Sequence, residues 1–280
     1  MKRIKLFILI IFSVCATSTI AMSLEDVTII KDSELYVQLP KDKALSEDFV
    51  KAVQNIWTFT PIAGFVSSEE AVKIMKENSN ACVMRFEDAV SSSLNQGGVR
   101  YFAVSTKLLI VRKNKTLGDT FVSSYKGNVL GKESLYQAVG KLNDFCTTIY
   151  TKNLKSDWKM LGEFKERGSG LLDKTLLLNK EWVSDKLSME DIKKVYPGKV
   201  KLVSFEDFQK CIEEKNPEYA YVMVSVLSAG GKYRYMHMIS DAETGKVYAM
   251  PNATVQSNNK SNRVIGVSNL KLYAKATEKQ

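Results

Sequence analysis

The chain has 280 residues, 45% hydrophobic and 25% charged, with five prolines and a formal net charge of +9. That composition supplies a core for one large domain or two small ones and excludes a disordered chain. The basic balance admits an anionic membrane surface or an acidic partner, but no aromatic-interleaved basic motif of nucleic-acid type occurs, so no nucleic acid is expected.

The first residues read as a signal peptide over 1–21. Lys2, Arg3 and Lys5 form a positive start, Leu6 to Val14 is unbroken apolar sequence, and Thr19-Ile20-Ala21 is a small-x-small cleavage site. The apolar run is too short to span a bilayer, which needs roughly 20 apolar residues. Cys15 offers lipidation after a different cleavage, but Phe12-Ser13-Val14 departs from the Leu-Ala-Gly type of sequence that bacterial lipoproteins resemble. The expectation is export to the periplasm, the outer membrane or the medium.

Two later stretches repeat one another. Residues 65–78 align without gaps to 202–215, with Val66/Val203, Ser67/Ser204, Glu69/Glu206, Lys73/Lys210 and Glu77/Glu214 identical. Upstream, Leu35-Tyr36-Val37 corresponds to Leu176-Leu177-Leu178, and Ser46 to Ser188; downstream, Ala81–Met84 corresponds to Ala220–Met223 and Gly97-Gly98 to Gly230-Gly231. The repeat therefore covers about 34–112 and 174–250. Each copy reads as strand, helix opened by Ser46 or Ser188, strand over Pro61–Val66 or Lys199–Val203, helix opened by Ser67 or Ser204, then two strands. The predicted fold class is α/β (α+β), with two similar strand–helix–strand–helix–strand–strand modules on mixed sheets.

Between the copies, Leu135, Val139, Leu142, Cys146 and Ile149 recur at helical spacing and predict a helix over Ser134–Tyr150. A second helix from Asn153 to about Lys165 is expected to bury Leu154, Trp158 and Leu161, ending at a flexible break over Arg167–Gly170. The domain reading is a first module over 22–115, a helical connection over 116–170 and a second module over 171–250. A polar tail follows over 251–280, in which Val264–Tyr273 could form an edge strand.

No catalytic, cofactor or metal residues are assigned. His237, the single histidine, lies on a strand pattern with Tyr233 and Tyr235 on its face and reads as a hydrogen-bonded strand residue. Cys82, Cys146 and Cys211 are odd in number and unpaired in spacing, which excludes a disulfide framework, and with one histidine they do not compose a usual zinc site. Glu69-Glu70 and Glu206-Asp207 are explained by helix starts. Trp57, Trp158 and Trp182 read as core. Gly168-Ser169-Gly170 is not a nucleophile elbow.

The repeated unit resembles, at fold level only, the small α/β modules of bacterial envelope-assembly proteins, which carries no residue-level function. The leading expectation is an exported, non-enzymatic envelope or secreted protein that binds a protein or envelope component through its duplicated modules. The alternative is an exported hydrolase or transferase with dispersed acid/base residues. Between Ser105 and Lys180 there are 14 Lys/Arg against 7 Asp/Glu, so weak contact with an anionic membrane surface is a further expectation.

Overall fold

The computed structural model describes residues 22–94, 100–122, 131–229, 232–251, 254–256 and 264–278. The expected signal peptide with Cys15, the turns at Gly97-Gly98 and Gly230-Gly231, and the polar run 257–262 lie outside the described residues.

The chain begins with α1 (Leu24–Lys31), followed by β1 (Glu34–Gln38), α2 (Lys43–Ile56), β2 (Ile62–Val66), α3 (Ser68–Glu77), β3 (Ala81–Leu94), β4 (Arg100–Arg112), β5 (Lys115–Phe121) and α4 (Lys132–Thr151). The second half runs α5 (Met160–Arg167), β6 (Thr175–Asn179), α6 (Met189–Val195), β7 (Lys199–Val203), α7 (Phe205–Glu213), β8 (Tyr219–Ala229), β9 (Lys232–Asp241), β10 (Val247–Ala249), β11 (Thr254–Gln256) and α8 (Val267–Thr277). The first sheet is ordered β2-β1-β3-β4-β5 and the second β7-β6-β8-β9-β10, with β11 pairing further along β9. In each, the first three strands are parallel and the last pairings antiparallel. Two copies of one topology are present, as the duplicated sequence requires.

Five details differ from the sequence reading. Asp42, not Ser46, caps α2, its carboxylate accepting from the Leu45 N–H at 2.8 Å; Ser46 sits inside the helix. The register sets Leu35 opposite Cys82 and Leu176 opposite Ala220, so Cys82 is the counterpart of Ala220 and Val83 of Tyr221. The match of Ala81–Met84 to Ala220–Met223 is therefore displaced by one residue, enough to exchange the two faces of a strand. Residues 116–121 belong to strand β5, not to a helical connection, and Val264–Tyr273 is not an edge strand, because Val267–Thr277 is α8. Nor is Arg167–Gly170 a loose break: a 3₁₀ helix over Gly168–Asp173 continues α5, and Gly168 is buried.

Alternation along the strands assigns the faces. In the first sheet Leu35, Val37, Cys82, Met84, Leu108 and Ile110 join the main core with Phe49, Ala52 and Val53 of α2. Val83, Leu109 and Val111 face the other way, onto Ala71 of α3. In the second sheet His237 meets Tyr273 of α8, while Met238 meets Gln137 of α4 and Tyr221 stacks edge-on against Phe208 of α7. Helix α4 thus lies between the sheets, against α1, α2 and β5 on one side and α7 and β10 on the other. One continuous core includes residues of both modules.

The equivalent faces of the two sheets differ in chemistry. Strand pairing makes Arg85, Glu87 and Lys107 the counterparts of Met223, Ser225 and Met236. The second copy carries methionines on the face that receives α4. The first copy carries charge there, with Lys107 bound to Asp119 at 2.7 Å and Arg85 to Glu87 at 3.0 Å.

Candidate functional site

The best-built polar region is the junction where α2, α4 and α7 meet. Lys132, in the first turn of α4, lies 3.8 Å from Asp48 of α2 and 3.4 Å from Glu213 of α7. Glu133 is 0% exposed and accepts a 2.5 Å hydrogen bond from the Gln209 amide. Burial pushes its carboxyl up from the ordinary carboxylate range, against the opposing hydrogen bond from Gln209. One turn on, Tyr136 accepts from the Asn55 amide at 2.8 Å. Beyond α7, the Lys215 ammonium donates to the Asn55 carbonyl at 2.9 Å. The junction thus joins two modules through side chains rather than through main-chain pairing.

A second polar set clamps α4 to the second module. Asp144 and Arg167 pair at 2.7 Å, both nearly buried. Arg167 also donates to Thr148 Oγ1 at 2.6 Å and to the Val247 carbonyl at 3.1 Å. Asp144 in turn accepts from the Val247 N–H at 3.0 Å. Every strong donor in this set faces an acceptor, which is what makes a buried charge tolerable. On the first-module side, Asn143 Oδ1 accepts from the N–H groups of Thr58 and Phe59 at 2.8 and 3.0 Å. Neither set was legible in the sequence, because its partners are 19 to 160 residues apart.

His237 is 1% exposed, and its Nδ1 pairs with the Tyr273 hydroxyl. Burial lowers its pKa to about 4, so the imidazole is neutral near pH 7. Its Nε2 has no partner among the described residues. The predicted hydrogen bond is present; its partner, on a segment read as an edge strand, was not foreseen.

The other residues singled out in the sequence are not brought together. Cys82 and Cys146 are buried in the core and Cys211 is half-buried; all three are free thiols. Burial pushes the Cys82 and Cys146 thiols up, away from thiolate character. Ser67 and Glu70 form a capping box, with the Ser67 N–H donating to Glu70 at 2.8 Å. That backbone hydrogen bond holds the Glu70 carboxyl below its usual range. Ser204 caps α7, accepting from the Asp207 N–H at 3.1 Å. No group of three or more His, Cys, Asp or Glu side chains placed to hold a metal ion occurs among the described residues. No helix among them is long and apolar enough to cross a membrane.

Trp57 and Trp182 are buried, as expected, but Trp158 is 68% exposed and Leu161 59% exposed. This overturns the expectation that the segment buries both; Met160 and Phe164 supply the inward face, with Leu154 half-buried beside the core. Comparison with known protein families, with curated proteins and with solved structures finds no match.

Proposed function

We infer that the chain is an exported, non-enzymatic protein of the bacterial envelope or the medium, which binds a protein or envelope component through its paired modules. The observation that carries this reading is the fixed pairing itself. Two modules of one strand order are held by a common helix, α4, and joined through Lys132, Glu133, Gln209 and Glu213. A partner meeting both modules encounters two related surfaces at a set spacing, and such preorganisation lowers the cost of binding.

The test has two arms. A C-terminally tagged full chain expressed in a bacterium should be cleaved after Ala21, leaving Met22 first, and should be recovered outside the cytoplasm. Intact Met1 on a cytoplasmic product would refute export. Pull-down from the native envelope should retain one defined partner, and loss of that partner on Lys132→Glu would tie capture to the module junction.

Glu133 gives the alternative, an exported hydrolase or transferase, its specific support. A buried carboxyl whose pKa is raised is a general-acid candidate. Turnover by the purified protein that Glu133→Gln abolishes while the fold stays intact would favour that reading over partner binding.

A further inference from the structure

Sequence spacing over Asp157–Arg167 offers two apolar sets, and the fold uses only one of them. Met160 and Phe164 point inward, whereas Trp158 and Leu161, three residues apart, point to solvent. Lys155, Lys159 and Lys165 are exposed around them, and none is ion-paired among the described residues. The acidic groups of the segment are otherwise engaged: Glu163 is buried and lies 2.5 Å from Lys152, Glu166 lies 3.1 Å from the same ammonium, and Asp157 is half-buried. The exposed pair is therefore an aromatic and a leucine with three exposed lysines close by in sequence.

Backbone pairing fixes this segment against the start of the described chain. The Asp157 N–H donates to the Met22 carbonyl at 2.9 Å, and the Leu24 N–H donates to the Lys155 carbonyl at 3.3 Å. Met22 and Leu24 are therefore held beside Trp158.

We propose that Trp158 and Leu161, flanked by Lys155, Lys159 and Lys165, form a membrane-surface contact for an anionic lipid bilayer. Tryptophan prefers the headgroup level, where its apolar ring and polar N–H are both accommodated. Leucine adds apolar burial, and each lysine near an anionic surface strengthens binding about five-fold. The contact goes beyond the partner-binding reading and is measured on purified protein with lipid alone, so the outcome of either leaves the other undecided.

The protein carries its own reporter, because Trp57 and Trp182 are buried and only Trp158 is exposed. Full chain, as its host produces it, is mixed with phosphatidylcholine vesicles containing about 30 mol % phosphatidylglycerol. Trp158 emission should shift to the blue and be quenched by brominated acyl chains, and Trp158→Phe should remove the signal. Replacing the three lysines by glutamine should weaken binding about 100-fold, and raised salt should weaken it too. Leu161→Ala, at an exposed position, should weaken it without altering the fold. Unchanged Trp158 emission with anionic vesicles would overturn the proposal. So would equal binding to pure phosphatidylcholine, or a Trp158 response to an envelope protein but never to lipid.

Discussion

His237 and Tyr273 occupy a place that is apolar in the first module, where strand pairing puts Leu108 as the counterpart of His237. Desolvation makes protonating this imidazole unfavourable in the fold, so its pKa falls to about 4 from an ordinary 6.5. Between those values the unfolded chain binds the proton and the folded chain does not. Stability is therefore retained above about pH 6.5 and lost as pH falls towards 4, by about 3 kcal/mol in all. Urea denaturation at neutral and mildly acidic pH should show this loss, and His237→Leu with Tyr273→Phe should show about 3 kcal/mol less of it. An identical pH slope in the double variant would refute the assignment. Tyr273→Phe alone leaves Nδ1 without its partner and should cost about 1–3 kcal/mol at pH 7. The histidine's strand position was readable from its alternating neighbours; its partner was not. Helix α8 buries Asn269, Leu270, Tyr273 and Thr277, and two polar residues in the buried stripe hide the helical period behind Leu270-Lys271-Leu272 alternation.

Helix α4 was the most legible element, because Leu135, Val139, Leu142, Cys146 and Ile149 mark its core face and all are buried. What the period could not reveal is that its other faces are also covered, since Tyr136, Gln137, Asn143 and Asp144 are polar yet packed against two modules. Their partners come from distant parts of the chain, and no local pattern encodes them. Arg167 is the test of that packing. Arg167→Met leaves Asp144 charged and enclosed, and should cost about 3–5 kcal/mol in equilibrium denaturation. Replacing both Arg167 and Asp144 by apolar residues should cost much less. At Gly168 an added Cβ would lie 1.7 Å from the Ala276 carbonyl oxygen of α8, which side-chain motion cannot relieve. Gly168→Ala should therefore destabilise the protein by about 1–3 kcal/mol, read as a lower thermal midpoint. The exposed pair, Trp158 in the 3₁₀ turn before α5 and Leu161 within α5, is hidden from the sequence for a different reason. Trp158/Leu161 and Met160/Phe164 have equally good helical spacing, and only the rest of the fold decides which set turns inward.

For the molecule as a whole, the duplicated sequence specified the topology of both sheets, and even the short stretch 65–78 was aligned in the register that the strands adopt: Val66 and Val203 pair with Gln38 and Asn179. The flanks were harder, since one inserted residue between α3 and β3 or α7 and β8 changes the strand match without disturbing either helix. The sequence also did not reveal that the main core is shared between the modules. Residues from both contribute to one cluster through α4, so folding of either should depend on the other. Trp57 and Trp182 report on the two modules separately, one in each, both buried. In a Trp158→Phe background, removing each of these in turn by conservative replacement leaves a single reporter per protein. Urea unfolding followed from Trp57 should coincide, in midpoint and slope, with unfolding followed from Trp182 once each variant's own stability is matched by circular dichroism. Two separated transitions within the same variant, one per module, would contradict the shared core on which the paired surface depends.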